Sequence, residues 1–217
     1  MSASSHSQRN IERFNEIAAS WDEHAGRVET AQAVARAMLE ALDLRGDERA
    51  LEFGCGTGLV TALLASSVAH VTAADSAPGM LTVLEQKRAE LGLDNVDTLQ
   101  ADVSADAPAG PFDLIFSSMT LHHIEDVAGL FRRLAAMLAP GGRVALADLE
   151  AEDGTFHGPD KPGIAHHGFE RTDLERWLRG AGLTDVRLST AHVVHKVGAD
   201  EREHDYPIIL AVARKPG

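Results

Sequence analysis

The sequence predicts an α/β protein with a doubly wound, mostly parallel sheet and helices on both faces. Short apolar segments alternate with segments of helical periodicity along most of the 217 residues. One apolar segment, 49–53, runs directly into the glycine-rich turn 54–58, and a helical segment follows that turn. A strand, a glycine-rich turn and a helix in this order are typical of nucleotide-binding α/β proteins.

In the first half of the chain, we expect residues 1–8 to be disordered because they are polar and rich in serine. Apolar residues spaced three or four apart predict helices over 11–19 and 28–42. A later helix is expected to begin at Pro78, which suits a first turn, and to stop at Gly92. The other elements predicted in this half are strands 49–53, 70–74 and 96–100 and helix 59–67.

In the second half, the buried-looking strand 112–117 precedes a helix over 125–138, whose two initial acids suit the helix dipole. The longest loop is predicted over 151–168, and Thr172 is expected to cap the next helix, which ends near Arg179. The remaining predicted elements are strands 143–148, 184–189 and 206–214, with a charged, mixed segment over 191–205. No helix separates the last two strands.

Composition limits the classes of function. The formal net charge is −13 and no Lys/Arg-rich run occurs, so the sequence argues against nucleic acid as a partner. A single cysteine, Cys55, excludes an intramolecular disulfide and a cysteine-based zinc site. No apolar run approaches the roughly 18 residues of a membrane span, and the start of the chain has no apolar signal core. We therefore expect one domain over 1–217, located in the cytoplasm, as a monomer or homodimer.

The stretch from Glu52 to Gly58 reads Glu-Phe-Gly-Cys-Gly-Thr-Gly. Three glycines within five residues allow positive φ and let a ligand lie against bare backbone. The unpaired N–H groups that open the next helix carry partial positive charge and favour an anionic group. Since residue 59 is leucine, the spacing departs from the Gly-x-Gly-x-x-Gly pattern of dinucleotide sites. The stretch predicts a nucleotide-like cofactor other than a dinucleotide.

Asp75 ends the second predicted strand, after His70-Val-Thr-Ala-Ala. A carboxylate at this position of a βαβ unit can accept two hydrogen bonds from a ribose diol. Its charge disfavours a 2′-phosphate. Asp102 follows the third predicted strand, where a carboxylate could accept the exocyclic amine of adenine.

The acid-x-Gly-x-Gly-x-Gly stretch, followed by Asp75 and Asp102, resembles the class I S-adenosylmethionine-dependent methyltransferases. The nearest branch is the small-molecule, ubiquinone/menaquinone methyltransferase-like one (methyltransferase types 11 and 25). The resemblance covers about 14–214. It implies a Rossmann-like sheet of seven strands with an antiparallel C-terminal strand. It also implies that 1–45 form a helical cap, that 46–150 bind the cofactor, and that 151–217 lie on the acceptor side.

The same resemblance implies S-adenosylmethionine as cofactor, S-adenosylhomocysteine as product and a small-molecule methyl acceptor. Asp75 would bind the ribose, and Asp102 together with the Val103 N–H would bind the adenine. Met80 would pack on the face of the adenine. Glu52 would hold the amino group of the cofactor or form a hydrogen bond within the turn. The full predicted cofactor set is Glu52, Gly54, Cys55, Gly56, Gly58, Asp75, Ser76, Met80, Asp102, Val103 and Ser117.

The family has no universal catalytic residue, so histidines near the expected site are candidates only. His122 and His123 directly follow the fourth strand, and His166 and His167 end the long loop. Each could act as a general base near neutral pH, contact substrate, or serve only packing or loop structure. The sequence disfavours a metal site, because no HxxxH or HExxH spacing would fix its geometry. Its ligands would come from His157, Asp160, His166 and His167, with Asp148 and Glu150 nearby. The predicted metal is none.

Two alternatives remain open from the sequence. One is a non-catalytic protein that binds S-adenosylmethionine for regulation, which would lack room for an acceptor. The other is a NAD-type oxidoreductase, which the glycine spacing disfavours.

Overall fold

The computed structural model describes residues 3–106, 108–158 and 161–217, and the side chains of this part from residue 8 onward. The helices are α1 (Ala3–Ile17), α2 (Ala25–Ala41), α3 (Leu59–Leu64), α4 (Pro78–Leu91), α5 (Val127–Met137) and α6 (Arg171–Gly180). The strands are β1 (Arg49–Phe53), β2 (His70–Asp75), β3 (Val96–Gln100), β4 (Phe112–Ser118), β5 (Leu138–Leu149), β6 (Thr184–Val197) and β7 (Glu203–Arg214).

The seven strands form one sheet in the order β3-β2-β1-β4-β5-β7-β6. The pairs among β1 to β5 are parallel, whereas β7 is antiparallel to both β5 and β6. This is the predicted α/β architecture with an antiparallel C-terminal strand, and the prediction is confirmed. The strand order reverses between β1 and β4, and open α/β sheets bind ligands beyond the carboxyl ends of the strands at such a point.

Helices cover both faces of the sheet because alternate strand residues point to opposite sides. On one face, Leu64 of α3 and Met38 of α2 belong to the same buried cluster as Ala50 of β1. On the other face, Phe131 of α5 and Leu178 of α6 belong to the cluster that contains the adjacent strand residue, Leu51. Because helices bury both faces of the sheet, a site is expected at the carboxyl ends of its strands.

The start of the chain differs from the prediction. Helix α1 begins at Ala3, so the expectation of disorder over 1–8 is wrong for 3–8, and residues 1 and 2 lie outside the described part. The first residues of this helix are polar and carry no apolar periodicity, which is why the sequence placed its beginning near residue 11. Helix α1 contacts α4 through pairs such as Asn15 Oδ1, which accepts the Gly79 N–H at 2.7 Å.

The C-terminal strands are longer than predicted, because the segment 191–205 forms most of a hairpin. Strand β6 continues to Val197 and β7 begins at Glu203, with Lys196 paired to His204. Most side chains of β6 are half-buried or exposed, so this strand has little apolar signal. Pairing with β7, which lies between β5 and β6, fixes its backbone.

The predicted cap of the sixth helix is also wrong. Helix α6 begins at Arg171, and its N-cap is Glu170 without a side-chain hydrogen bond. The Arg171 guanidinium instead binds Glu150, with Nε to Oε1 at 2.7 Å and Nη2 to Oε2 at 2.9 Å. This bidentate pair ties the start of α6 to the residue after β5.

Candidate functional site

The glycine-rich turn between β1 and α3 has left-handed backbone at each of its three glycines. A Cβ atom at Gly54 would overlap the Thr120 side chain, and one at Gly58 would overlap Leu84. A Cβ atom at Gly56 would meet nothing within 4 Å. Gly54 and Gly58 are therefore required for packing, whereas Gly56 leaves bare backbone facing open space.

Asp75, at the end of β2, is fixed by two backbone donors. Its Oδ2 accepts the Gly56 N–H and its Oδ1 accepts the Ala77 N–H, each at 2.8 Å. Burial raises the pKa of this carboxyl, and the two N–H donors act in the opposite direction. Each carboxylate oxygen has a further lone pair, so the pair of oxygens can still accept a diol. The donors hold the carboxylate against the glycine-rich turn.

Glu52, the acid that opens the motif, lies inside the protein. It is buried and shares a hydrogen bond with the Thr61 hydroxyl of α3. Burial raises the pKa of Glu52 to about 8, while the Thr61 hydroxyl opposes this shift. The side chain is thus predominantly neutral at pH 7, and it ties the end of β1 to the helix that follows the turn.

A cavity of about 1300 Å³ opens at this edge of the sheet. It is lined by nine of the predicted cofactor residues: Glu52, Gly54, Cys55, Gly56, Asp75, Ser76, Met80, Asp102 and Val103. Burial raises the pKa of the Cys55 thiol well above its ordinary value, so this residue carries no reactive thiolate near pH 7. The expected residues after three neighbouring strands are therefore brought to one space.

Two predicted cofactor residues do not line the cavity. The Ser117 hydroxyl is buried and donates to the Phe53 carbonyl at 2.7 Å, so it joins β4 to β1. Gly58 contacts Leu84 of α4 instead of the open space. The sequence placed both at the correct edge of the sheet but could not show that their positions face inward.

The N-terminal segment covers the glycine-rich turn. Asp22 accepts the Thr57 hydroxyl at 2.6 Å and the ammonium of Lys87 at 2.7 Å. The same Lys87 ammonium donates to the Thr57 carbonyl at 2.8 Å. Phe14 and Trp21 line the cavity from this side and pack against each other with ring centroids 5.7 Å apart. The expected cap is thus attached to the turn by a charged network.

A buried histidine and a buried aspartate meet where β4 and β5 end. The Nδ1 atom of His122 lies 2.7 Å from Oδ1 of Asp148, and both side chains are almost fully buried. Burial favours the neutral acid, but the charge and hydrogen bond of His122 and the Leu149 N–H lower the pKa of Asp148 overall. Asp148 is then a carboxylate that accepts the Nδ1–H of His122. His122 also lines the cavity. A neutral His122 ring that donates Nδ1–H to Asp148 would have its acceptor lone pair on Nε2.

Two further histidines surround this pair. The His122 ring centroid lies 4.1 Å from that of His123 and 4.9 Å from that of His157. Burial, followed by the charge of His122, lowers the pKa of His123 to about 3 and that of His157 to about 2. Both are neutral at pH 7. His157 comes from the loop after β5, 34 positions from His123, and sequence spacing carries no signal of this contact.

The other two candidate histidines lie outside the cavity. His166 Nε2 binds the Ile124 carbonyl at 2.9 Å, and its ring packs against Phe169. His167 Nδ1 lies 3.5 Å from Glu152 Oε1 within the same loop. His166 is thus held against Ile124 and His167 against its own loop, so the structure brings only His122 and His123 of the four candidates to the cavity.

A metal-binding cluster does not form in the part of the chain that the structure describes. No three His, Cys, Asp or Glu side chains there converge as a set of metal ligands. Asp160, one member of the disfavoured metal set, lies outside the described residues. The oxygen atoms of Asp148 are committed to His122 and to the Leu149 N–H.

Comparison with known proteins shows the family. A family model described as a methyltransferase domain matches residues 23–188. This chain belongs to the methyltransferase-domain family. A ubiquinone biosynthesis O-methyltransferase of Xanthomonas euvesicatoria pv. vesicatoria is 30% identical over 193 residues, which cover 81% of this chain and 80% of that protein. The predicted membership of the class I S-adenosylmethionine-dependent methyltransferases is confirmed.

Other relatives agree with this membership. An uncharacterized methyltransferase of Schizosaccharomyces pombe is 32% identical over 155 residues, or 64% of this chain, and the match spans only 54% of that protein. The solved structure of a DhpI–SAH complex has a TM-score of 0.77 at 21% identity, with 99% of both chains covered. The second likeness shows the shared fold.

The residues of this methyltransferase fit S-adenosylmethionine, the cofactor of its family. The Gly56 backbone faces open space without a Cβ atom, and Asp75 has lone pairs free for a ribose diol. A NAD-type site is not supported by this membership. Of the helices in the described residues, none combines the length and apolar character needed to cross a membrane.

Proposed function

We propose that this methyltransferase methylates a small-molecule acceptor whose nucleophile loses its proton to Nε2 of His122. The observation that carries the proposal is the 2.7 Å contact between His122 Nδ1 and Asp148 Oδ1. A histidine held by a carboxylate at one ring nitrogen has its tautomer and orientation fixed for proton transfer at the other. Asp148 is a positioning residue, since it acts through His122.

The division of labour follows the three parts of the chain. Residues 1–45 cover the cavity, 46–150 hold the cofactor through the Gly56 backbone and Asp75, and 151–217 contribute His157 to the acceptor side. Bound S-adenosylmethionine supplies an electrophilic methyl group on a sulfonium. The protein contributes position and the exclusion of water, for which Phe14 and Trp21 provide an apolar cover.

The protonated His122 that results from the transfer is stabilised by the Asp148 carboxylate. His123 and His157 are neutral at pH 7, so neither adds a positive charge that would oppose protonation of His122. The acceptor nucleophile is thus expected to be a hydroxyl, thiol or amine with a proton to lose. The predictions of a cytoplasmic location and of a monomer or homodimer stay predictions.

The experiment is a screen of small hydroxyl, thiol and amine acceptors that follows release of S-adenosylhomocysteine. An acceptor found in this way is then tested with His122→Asn, which should lower turnover about 10²- to 10⁴-fold, the range for loss of a general base. The control is His70→Asn, because His70 lies at the amino end of β2, away from the carboxyl ends of the strands, and does not line the cavity. Unchanged turnover in His122→Asn would contradict the role of His122. Cofactor binding without turnover of any acceptor would favour the regulatory alternative.

A further inference from the structure

The cavity of this acidic protein is lined by basic as well as acidic side chains. Although the formal net charge is −13, five arginine and lysine side chains line the cavity: Arg13, Arg27, Arg133, Lys161 and Lys196. Four of them come from the N-terminal cap and from the chain after β5, and only Arg133 belongs to the cofactor-binding core. The basic residues are therefore located mainly on the elements assigned to the acceptor side and its cover.

Arg13 of α1 has an unsatisfied donor. Its Nη1 atom is buried and has no hydrogen-bond partner among the described residues. Burial lowers the pKa of the Arg13 guanidinium, although this group remains charged at pH 7. A buried donor on a charged group without an acceptor is costly, so a binding partner that supplies an acceptor would be strongly favoured.

The cations near Arg13 have the same sign of charge, so they cannot neutralise one another. Burial and then the charge of Arg13 lower the pKa values of both Arg27 and Lys161. In the described part of the chain, no ion pair includes Arg13, Arg27 or Lys161. The Arg27 guanidinium lies 3.9 Å from the Trp21 ring centroid, which orients it without neutralising it. Among the residues that the structure describes, these three cations therefore have no counter-anion within ion-pair distance.

Lys161 and Lys196 follow β5 in the chain, as does His157, whose ring packs against His122. The charges of Lys161 and Lys196 contribute to the lowered pKa of His157, after burial, His122 and His123. The His157 ring packs against His122, and Lys196 is fixed by the Phe156 carbonyl at 2.6 Å. The acidic residues Asp75 and Asp102, in contrast, follow the strands that hold the cofactor. Glu125 and Asp126, which precede α5, also line the cavity.

We propose that the methyl acceptor carries an oxyanionic group, a carboxylate or a phosphoryl group, which is bound by Arg13 and Arg27 with help from Lys161. The unsatisfied Nη1 of Arg13 would donate to this group, since a guanidinium presents several donors in a geometry suited to oxyanions. The inference rests on the proposed function, because it places the nucleophile of the same molecule at His122. The inference describes the acceptor as a molecule that carries an anionic group at a distance from the atom that is methylated.

The test uses three probes that share a phenyl ring: phenylphosphonate, benzoate and the neutral benzamide. Each is titrated calorimetrically into the protein, with and without saturating S-adenosylhomocysteine. At least one anion should bind about 10-fold or more tightly than benzamide, the scale of a hydrogen bond to a charged group. Preference for phenylphosphonate assigns a phosphoryl group, and preference for benzoate assigns a carboxylate.

Variants separate this site from general attraction of anions. Arg13→Gln and Arg27→Gln should each weaken binding of the preferred anion about 10-fold, while benzamide and S-adenosylhomocysteine affinities stay within about twofold. Arg36→Gln is the matched control, because Arg36 is exposed on the same helix as Arg27 and does not line the cavity. Arg13→Lys, which keeps the charge, should lose less than Arg13→Gln.

Equal affinities for the anions and benzamide would overturn the inference, as would anion binding that neither glutamine variant weakens. The titrations without S-adenosylhomocysteine keep this result separate from the cofactor. If S-adenosylhomocysteine failed to bind while the anions still depended on Arg13, the proposed function would fail and the oxyanion site would stand.

Discussion

Nδ1 of His122 and Oδ1 of Asp148 are 2.7 Å apart, although the two residues are 26 positions apart in the sequence. Asp148 also faces the backbone N–H of His122 at 3.3 Å. The carboxylate therefore fixes both the ring and the main chain of the histidine. This double attachment fixes the orientation of a histidine that lines the cavity.

The first prediction concerns Asp148. Asp148→Asn removes the charge that stabilises protonated His122 and offers Nδ1 an amide in place of a carboxylate, so turnover should fall about 10²- to 10⁴-fold. The affinity for S-adenosylhomocysteine should change less than about threefold. Single-turnover rates and calorimetry measure the two quantities. An equal loss of both, with the circular dichroism spectrum altered, would indicate a folding role instead.

The second prediction contrasts two glycines of one turn. Gly56→Ala should weaken S-adenosylhomocysteine binding at least 10-fold, because its methyl group would enter the open space in which we propose that the cofactor lies. It should lower the free energy of unfolding by only about 1–2 kcal/mol, the cost for a residue with positive φ. Gly58→Ala should be the more destabilising change, since its methyl group overlaps Leu84. Urea unfolding and calorimetry of both variants test this contrast. A Gly56→Ala variant that binds normally would contradict the proposed position of the cofactor against Gly56.

The third prediction concerns Glu52 and pH. Its pKa is about 8 in the folded protein against an ordinary value of 4.5, so the folded state holds one more proton than the unfolded state between these limits. The contribution of Glu52 to the free energy of unfolding therefore falls as pH rises from about 4.5 to 8, by up to about 1.4 kcal/mol per pH unit, and is constant above 8. The isosteric Glu52→Gln lacks this titration.

Relative to wild type, Glu52→Gln should thus gain stability progressively between pH 5.5 and 8. Urea unfolding of both proteins at several pH values gives the difference directly. The comparison cancels the titration of His123 and His157, which is common to both proteins. A difference that does not vary with pH would show that Glu52 is ionised in the folded state.

The fourth prediction concerns the cover over the cofactor. Asp22→Asn removes the charged partner of Lys87 and weakens the bond to Thr57, so S-adenosylhomocysteine should dissociate several-fold faster. Limited proteolysis within 18–27 should also accelerate. The control is Asp47→Asn, since Asp47 forms an exposed pair with Arg45 far from this network. Equal dissociation rates in wild type and Asp22→Asn would show that the attachment does not retain the cofactor.

Much of the fold could be predicted because the parallel core has strong local signals. Buried strands such as 49–53 and 112–118 are short apolar runs, and Pro78 and Gly92 mark the ends of α4. The hairpin of β6 and β7 carried weaker signals, since β6 is largely half-exposed and depends on pairing with β7. The length of this hairpin therefore depends on the pairing of β6 with β7 and not on a local signal in the sequence of β6.

Residues that line the cavity could be named from the motif, since Gly56 and Asp75 adjoin strands that are neighbours in any such sheet. The direction of a side chain was harder to predict, as Ser117 shows: one position along β4 separates a buried serine from Ser118, which lines the cavity. The partnership of His122 with Asp148 and the approach of His157 depend on how β5 and its following loop are placed. Neither has a sequence signature.

The central claim is that the bare backbone at Gly56 and the carboxylate of Asp75 together bind the adenosyl cofactor. Calorimetric titration of S-adenosylhomocysteine into wild type and Asp75→Asn tests it most directly, because asparagine keeps the shape and one acceptor of the side chain. We expect saturable binding to wild type and a loss of about 1.5–3 kcal/mol, or about 10- to 150-fold, in the variant. No binding to wild type, or equal affinity in a folded Asp75→Asn variant, would contradict the claim.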